Sequence, residues 1–164
     1  MREIKATKIA KLVEDLCIEA CCVLTDDITS GFKNSLITEQ SSLGKEVLET
    51  LIQNAKIAKE EYNPICQDTG MTVVFVTMGQ DVQITGGFIE DAINEGVKNG
   101  YEKGYLRKSV VSDPIERVNT NDNTPAIIHY EIVPGTECKI IVAPKGFGSK
   151  NKSDLKMLTP SDQV

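Results

Sequence analysis

The hydrophobic period of this chain first changes at Pro64, and that change limits the folds open to it. Before Pro64, apolar residues recur at three- and four-residue steps; the first β-branched run follows it. Ile9, Leu12, Val13, Leu16, Ala20 and Val23 predict a helix over residues 5–24. Asp26 or Asp27 is placed to cap a short helix over Asp27–Thr38, interrupted at Gly31. A third helix runs over Ser42–Glu61 on a stripe of Val47, Leu48, Leu51, Ile52, Ala55 and Ala58. Pro64 stops it, because the residue before a proline disfavours helix.

Thr72–Met78 reads Thr-Val-Val-Phe-Val-Thr-Met, a strand by composition. Gly79-Gln80 turns the chain toward a second strand at Asp81–Thr85. Gly86-Gly87 then leads into a helix over Phe88–Lys103, with Ile89, Ala92, Ile93 and Val97 on one side. Leu106–Pro125 is a long polar connection, the kind that in compact domains carries function or disorder. Ala126–Val133 and Cys138–Ala143, joined through Pro134-Gly135, predict a β-hairpin. The fold class is therefore α+β: N-terminal helices, then a mixed α/β region with a β-hairpin. The 164 residues are enough for one domain with a sizeable core.

The junction between the two regimes is the chemically dense point. Pro64-Ile65-Cys66-Gln67-Asp68-Thr69-Gly70 puts a thiol, an amide, a carboxylate and a hydroxyl on four consecutive positions. Packing does not need such a cluster, whereas a loop projecting from two regular elements is where sites are built. Arg107 and Arg117 lie in the long polar connection, and guanidinium groups clamp carboxylates in bidentate fashion. A solvated surface arginine is the plain alternative for each. Gly146-Phe147-Gly148-Ser149 follows the last strand and could let the backbone approach an anion, or simply turn the chain. Ser149 and Lys150 stand in the wrong order for a P-loop. His129, the only histidine, sits mid-strand and reads as a satisfied, half-buried side chain.

Composition excludes some classes. A net charge of -6 leaves no basic face for nucleic acid. No apolar run is long enough to span a bilayer, and Met1-Arg2-Glu3-Ile4-Lys5 lacks the apolar core of a signal peptide. A cytoplasmic location is expected. The cysteines fit a reducing compartment: Cys17, Cys21, Cys22, Cys66 and Cys138 are odd in number and irregular in spacing. With no CxxC pair they form no self-contained zinc site. Cys17 and Cys21, four apart on one helix face, read as core packing.

Asp68-Thr69-Gly70 before an apolar run also matches the loop of an aspartic protease, in which two such loops share one proton. Three residues are a weak match, and a helical first third suits an all-β protease poorly.

Several blocks, in order, resemble the class I, iron–sulfur-dependent fumarate hydratases and the related L-tartrate dehydratases. They match the α subunit, or the N-terminal domain of single-chain forms. The blocks are Asn54-Ala55-Lys56-Ile57-Ala58, Pro64-Ile65-Cys66-Gln67-Asp68-Thr69-Gly70 and Leu106-Arg107-Lys108-Ser109-Val110-Val111. Asn119-Thr120-Asn121-Asp122-Asn123-Thr124-Pro125-Ala126, Ile128 to Gly135, and Ala143-Pro144-Lys145-Gly146-Phe147-Gly148-Ser149 complete them. The resemblance implies reversible hydration of fumarate to malate, or dehydration of tartrate. It implies Cys66 as one of three thiolates on a [4Fe–4S] cluster that acts as a Lewis acid. It implies Asp68 as proton donor or acceptor, and Gln67, Arg107, Gly146 and Gly148 as contacts to a small dicarboxylate. Asp122 and Asn123 are second choices that would order their loop.

Two departures qualify this. The family commonly has three glycines and an acidic residue in its last block, where this chain has Phe147 and Lys150; a side-chain role at position 150 is open. The family's α portion also continues beyond the equivalent of Val164, and its later part carries the other two cluster cysteines. Residues 1–164 are thus expected to be the N-terminal part of a larger hydro-lyase α domain, inactive alone. The expected partner is a β subunit or C-terminal domain, with exposed apolar surface favouring an oligomer. The contrasting expectation is a cluster-free binding or assembly module that keeps the fold.

Overall fold

The computed structural model describes residues 1–148 and 154–161. Among these residues nine elements follow in order: β1 (Arg2–Lys5), α1 (Ala6–Cys22), α2 (Asp26–Thr38), α3 (Ser42–Glu61), β2 (Met71–Gly79), β3 (Val82–Thr85), α4 (Ile89–Lys103), β4 (Ile127–Val133) and β5 (Cys138–Lys145). The α+β class agrees with the sequence, although a short strand precedes the N-terminal helices.

The core forms where α1 and α4 meet β2. Ile9, Val13, Cys17 and Cys21 recur at four-residue steps on α1 and are buried. They meet Ile93, Val97 and Tyr101 of α4 and Val74 and Val76 of β2 in one cluster. The reading of Cys17 and Cys21 as core packing is borne out. The two helices approach closely because α4 presents glycines. A Cβ on Gly96 would stand 2.5 Å from the Ala10 carbonyl oxygen, and one on Gly100 would stand 2.9 Å from the Cys17 Cβ. At the rim, Lys103 Nζ reaches both carboxylate oxygens of the buried Glu14 at 2.9 Å, and Lys11 Nζ reaches one at 2.8 Å. These bonds hold the Glu14 carboxyl below the usual carboxylate range against the opposing effect of burial.

The α2–α3 pair is less covered. Only Ala58 of α3 is buried, and Val47 and Leu51 of its stripe remain half exposed. α2 runs unbroken through Gly31, where a Cβ would meet nothing within 4 Å, so the expected interruption is absent. Thr25 occupies the N-cap position, and Asp26 and Asp27 lie in the first turn, where carboxylates suit the helix dipole.

The sheet topology corrects the expected hairpin. β4 and β5 do not pair with each other; β2 lies between them in the order β4-β2-β5. β4 runs parallel to β2, with Val73 opposite Ile127 and Phe75 opposite His129. β5 runs antiparallel, with Met71 opposite Lys145 and Met78 opposite Cys138. The Pro134–Glu137 turn spans the end of β2, because Gly79 N–H donates to the Glu137 carbonyl and Gln80 N–H to that of Val133. Gly79 is needed there, since a Cβ would collide with the Gly135 carbonyl. β3 leaves this sheet and pairs in parallel with β1, a strand the sequence did not announce. On the side of β2 away from the core, Phe75 is 44% exposed and stacks on His129 with ring centroids 5.1 Å apart. His129 is accordingly exposed on an open sheet face rather than half-buried.

Candidate functional site

Strand direction gathers the polar loops. β2 and β4 are parallel, so the loops that precede them emerge at one end of the sheet. β5 is antiparallel and ends at that same end, where Gly146–Gly148 begins. A hairpin in the place of this arrangement would not have set Asp68 beside Phe147.

Two bonds anchor the Cys66 loop from behind. Ile65 N–H donates to the Cys21 carbonyl at 2.9 Å, and Asn54 Nδ2 donates to the Ile65 carbonyl at 2.9 Å. Cys66 then stands exposed. Its thiol donates to Gln67 Oε1 at 3.3 Å, and its sulfur accepts the Asp68 N–H at 3.5 Å. Gln67 is exposed, whereas Thr69 and Gly70 are buried. A cavity of about 180 Å³ opens beside the loop, lined by Ala20, Cys21, Ile65, Cys66, Asp68 and Pro144 among others. A larger one of about 520 Å³ lies by Arg2, Lys8, Cys138 and Ile140, at the opposite end of β5 and away from this chemistry. The smaller cavity is the relevant one, because the thiol and the carboxylate line it.

Asp68 ties two loops together. Its Oδ2 accepts the Phe147 N–H at 2.9 Å and its Oδ1 accepts the Gly70 N–H at 3.2 Å. The Phe147 amide is the largest influence holding the Asp68 carboxyl below its usual range; partial burial opposes it, and the Gly70 and Gly148 amides and the Arg107 charge assist. Among the described residues, the anion received by the backbone at Gly146–Gly148 is this carboxylate. A Cβ on Gly146 would stand 3.0 Å from Asp68 Oδ2, so glycine permits the approach. Ser149 and Lys150 lie outside the described residues.

Arg107 is exposed at the same place, and its carbonyl accepts the Thr69 hydroxyl at 3.0 Å. Arg117 does not join it: its guanidinium donates to the Pro114 carbonyl at 3.4 Å within its own exposed turn. Asp122 Oδ1 accepts from the Thr124 amide at 3.0 Å and the Thr124 hydroxyl at 2.7 Å, ordering the turn before β4. Asn123 is wholly buried; its Oδ1 accepts the Ser109 and Val110 amides at 2.8 and 3.1 Å, and its Nδ2 donates to the Gly70 carbonyl at 3.1 Å.

Tyr101 escaped the sequence reading. It is 1% exposed, and its hydroxyl donates to the Thr69 carbonyl at 2.8 Å. The available signal was its place four residues after Val97 on the apolar side of α4, because a buried tyrosine hydroxyl needs a partner. The Asp-Thr-Gly segment has no protease-like setting: it follows three helices in an α+β chain, and the Thr69 hydroxyl is spent on the Arg107 carbonyl.

Among the described residues, no three His, Cys, Asp or Glu side chains are grouped to hold a metal ion. One thiol at the loop cluster fits one corner of a cluster and no more. Cys21 shares the small cavity, but burial pushes its thiol up to about 12 and disfavours the thiolate that a metal needs. No helix among the described residues is long and apolar enough to cross a membrane.

Fold and site together define an α+β chain whose polar loops converge on a single exposed thiol. It belongs to the fumarate hydratase (Fumerase) family, whose model matches residues 10–164. A Methanocaldococcus jannaschii protein assigned as an L(+)-tartrate dehydratase subunit alpha is 38% identical over 163 residues, 96% of this chain and 57% of that one. The Escherichia coli anaerobic class I fumarate hydratase is 38% identical over 129 residues, 74% of this chain and 23% of its own. The E. coli L(+)-tartrate dehydratase subunit alpha is 28% identical over 159 residues, 94% of this chain and 52% of its own. The chain therefore spans little more than half of the α subunits it matches.

Proposed function

We propose that this chain is the N-terminal part of a hydro-lyase α subunit and carries one wall of the active site. The complete enzyme would hydrate fumarate to malate, or dehydrate tartrate. The observation that carries this reading is the convergence of Cys66, Gln67, Asp68, Arg107 and the Gly146–Gly148 backbone at one end of the sheet. Relatives named as fumarate hydratases and tartrate dehydratases support a small dicarboxylate as the substrate class.

In this reading Cys66 is one of three thiolates on a [4Fe–4S] cluster, and the other two come from outside these residues. When bound, the cluster supplies Lewis-acid polarisation of the carbon–oxygen bond that breaks or forms. The chain's own residues do the rest. Arg107 pairs with one substrate carboxylate through a planar fork of donors. Gln67 and the glycine backbone orient the rest of the diacid. Asp68, whose carboxylate keeps acceptor sites beyond its two amide bonds, takes a proton from the water that adds and, in the reverse direction, returns it to the hydroxyl that leaves as water. A β subunit or C-terminal domain completes the site, and the open face around Phe75 supports an assembled, oligomeric state. Five free cysteines suit a reducing, cytoplasmic location.

The second reading is a cluster-free binding or assembly module, favoured by the single thiol at the site. Anaerobic reconstitution with iron and sulfide separates the two. The enzyme reading expects no stoichiometric cluster on this chain alone and full loading once the remaining portion is supplied, abolished by Cys66→Ser. A chain that alone binds the cluster and turns over fumarate refutes the ligand count. Absence of a cluster in the assembled protein refutes the enzyme reading.

A further inference from the structure

We propose that Asn123 and Tyr101 are positioning residues, setting how the Cys66–Asp68 loop stands relative to Arg107. The inference rests on the reading of that loop as substrate-facing, and it assigns the parts that fix its geometry.

The peptides just after Asp68 are held from the core side by two different elements. Tyr101 of α4 donates to the Thr69 carbonyl at 2.8 Å, and its oxygen lies 3.4 Å from the Gly70 carbonyl. Asn123, from the loop before β4, donates to the Gly70 carbonyl at 3.1 Å. With consecutive carbonyls tied down, rotation of those peptides is resisted, and the turn that follows Asp68 is held against the core.

The same amide reaches the arginine segment. Asn123 Oδ1 accepts the Ser109 and Val110 amides, two and three residues after Arg107. The Thr69 hydroxyl closes the circuit on the Arg107 carbonyl at 3.0 Å. One planar side chain thus references the carboxylate-bearing loop and the guanidinium-bearing loop to each other. Asparagine suits the position twice over: its backbone sits at φ 63°, a region it tolerates better than most residues, and its side chain offers donor and acceptor together. Asn123 is 0% and Tyr101 1% exposed, so neither touches a ligand. Their effect passes through Asp68, Cys66 and Arg107.

Two variants isolate the ties. Tyr101→Phe removes one hydroxyl and keeps the ring. Asn123→Asp keeps the acceptor for Ser109 and Val110 and replaces the donor to Gly70 with an oxygen. In the 164-residue chain, amide hydrogen exchange is read on the peptide covering residues 65–70 and on α4. We expect at least ten-fold faster exchange at 65–70, with α4 unchanged. A variant such as Ala92→Gly, matched to them in thermal midpoint but remote from the loop, leaves 65–70 unchanged. In the enzyme assembled with its remaining portion, both variants raise KM for the dicarboxylate at least ten-fold, with a smaller change in kcat. Exchange that rises equally everywhere, or not at all at 65–70, overturns the positioning role. Faster local exchange with unchanged KM leaves the tether standing and overturns the substrate-facing reading of the loop. If Asn123→Asp does not fold, Tyr101→Phe decides alone.

Discussion

Gly70→Ala tests whether the site and the sheet share one constraint. Gly70 has φ 64°, and an L-residue in the left-handed region costs about 1–2 kcal/mol. A second cost comes from space. A Cβ at Gly70 would collide with the carbonyl of Lys145, the residue that ends β5 opposite Met71. Both partners are backbone, so no rotamer change relieves the clash, and overpacking of this kind costs typically about 1–3 kcal/mol. Gly86 provides the control, with φ 78° and nothing within 4 Å of its would-be Cβ. Gly86→Ala therefore carries only the conformational cost. In a domain of this size about 1 kcal/mol moves the thermal midpoint by roughly 2–4 °C. Circular-dichroism melts should place Gly70→Ala a further roughly 2–12 °C below Gly86→Ala. Urea titration should show the same order in midpoint with an unchanged slope. The clash should also part β5 from the Asp68 loop, releasing the Phe147 amide. Equal melting points for the two variants refute the close approach and the coupling drawn from it.

Two further outcomes are open to simple measurement. Asp68 has its folded pKa below the ordinary carboxylate value. Its tie to Phe147 is therefore complete above the unfolded value of about 3.9 and is lost as pH falls through the folded one. Carboxyl-carbon NMR should give a midpoint below 3.9 that rises in a variant lacking the cradle; a midpoint at or above that value refutes it. Iodoacetamide with peptide mapping should modify Cys66 first among the five thiols. Cys66 is exposed, whereas burial pushes Cys17 and Cys21 up to about 12 and also raises Cys22 and Cys138. Prior labelling of Cys138 would contradict the described exposure.

What could be read from the sequence was local. The three-and-four spacing of Ile9, Val13 and Cys17 gave α1, and the β-branched run from Thr72 gave β2. Pro134-Gly135 between two strands gave a hairpin by the same local logic, and there it failed. The pairing partner of both strands was β2, where Val73 stands opposite Ile127, 54 residues further along the chain. β1 is four residues, three charged and one a part-buried isoleucine, too short to announce itself. At the site, Cys66, Gln67, Asp68 and Arg107 could be named from family-like blocks. Their adjacency could not, because it depends on strand direction. The work of Asn123 and Tyr101 was hidden for another reason: their bonds span 53 and 32 residues, and only burial makes those polar groups seek such partners.

The sheet's two ends also differ in what they tolerate. All three polar loops leave one end, and the Pro134–Glu137 turn lies at the other. From Cys138 to Lys145 β5 is eight residues long, a separation of roughly 24 Å at strand rise. The Thr136 side chain is exposed there, while its carbonyl is held by Arg2 at 3.1 Å. A fluorophore or affinity handle on that side chain would leave the backbone bond in place and stand clear of the thiol. The far end is thus a natural mounting point, from which the other end can be watched without being touched.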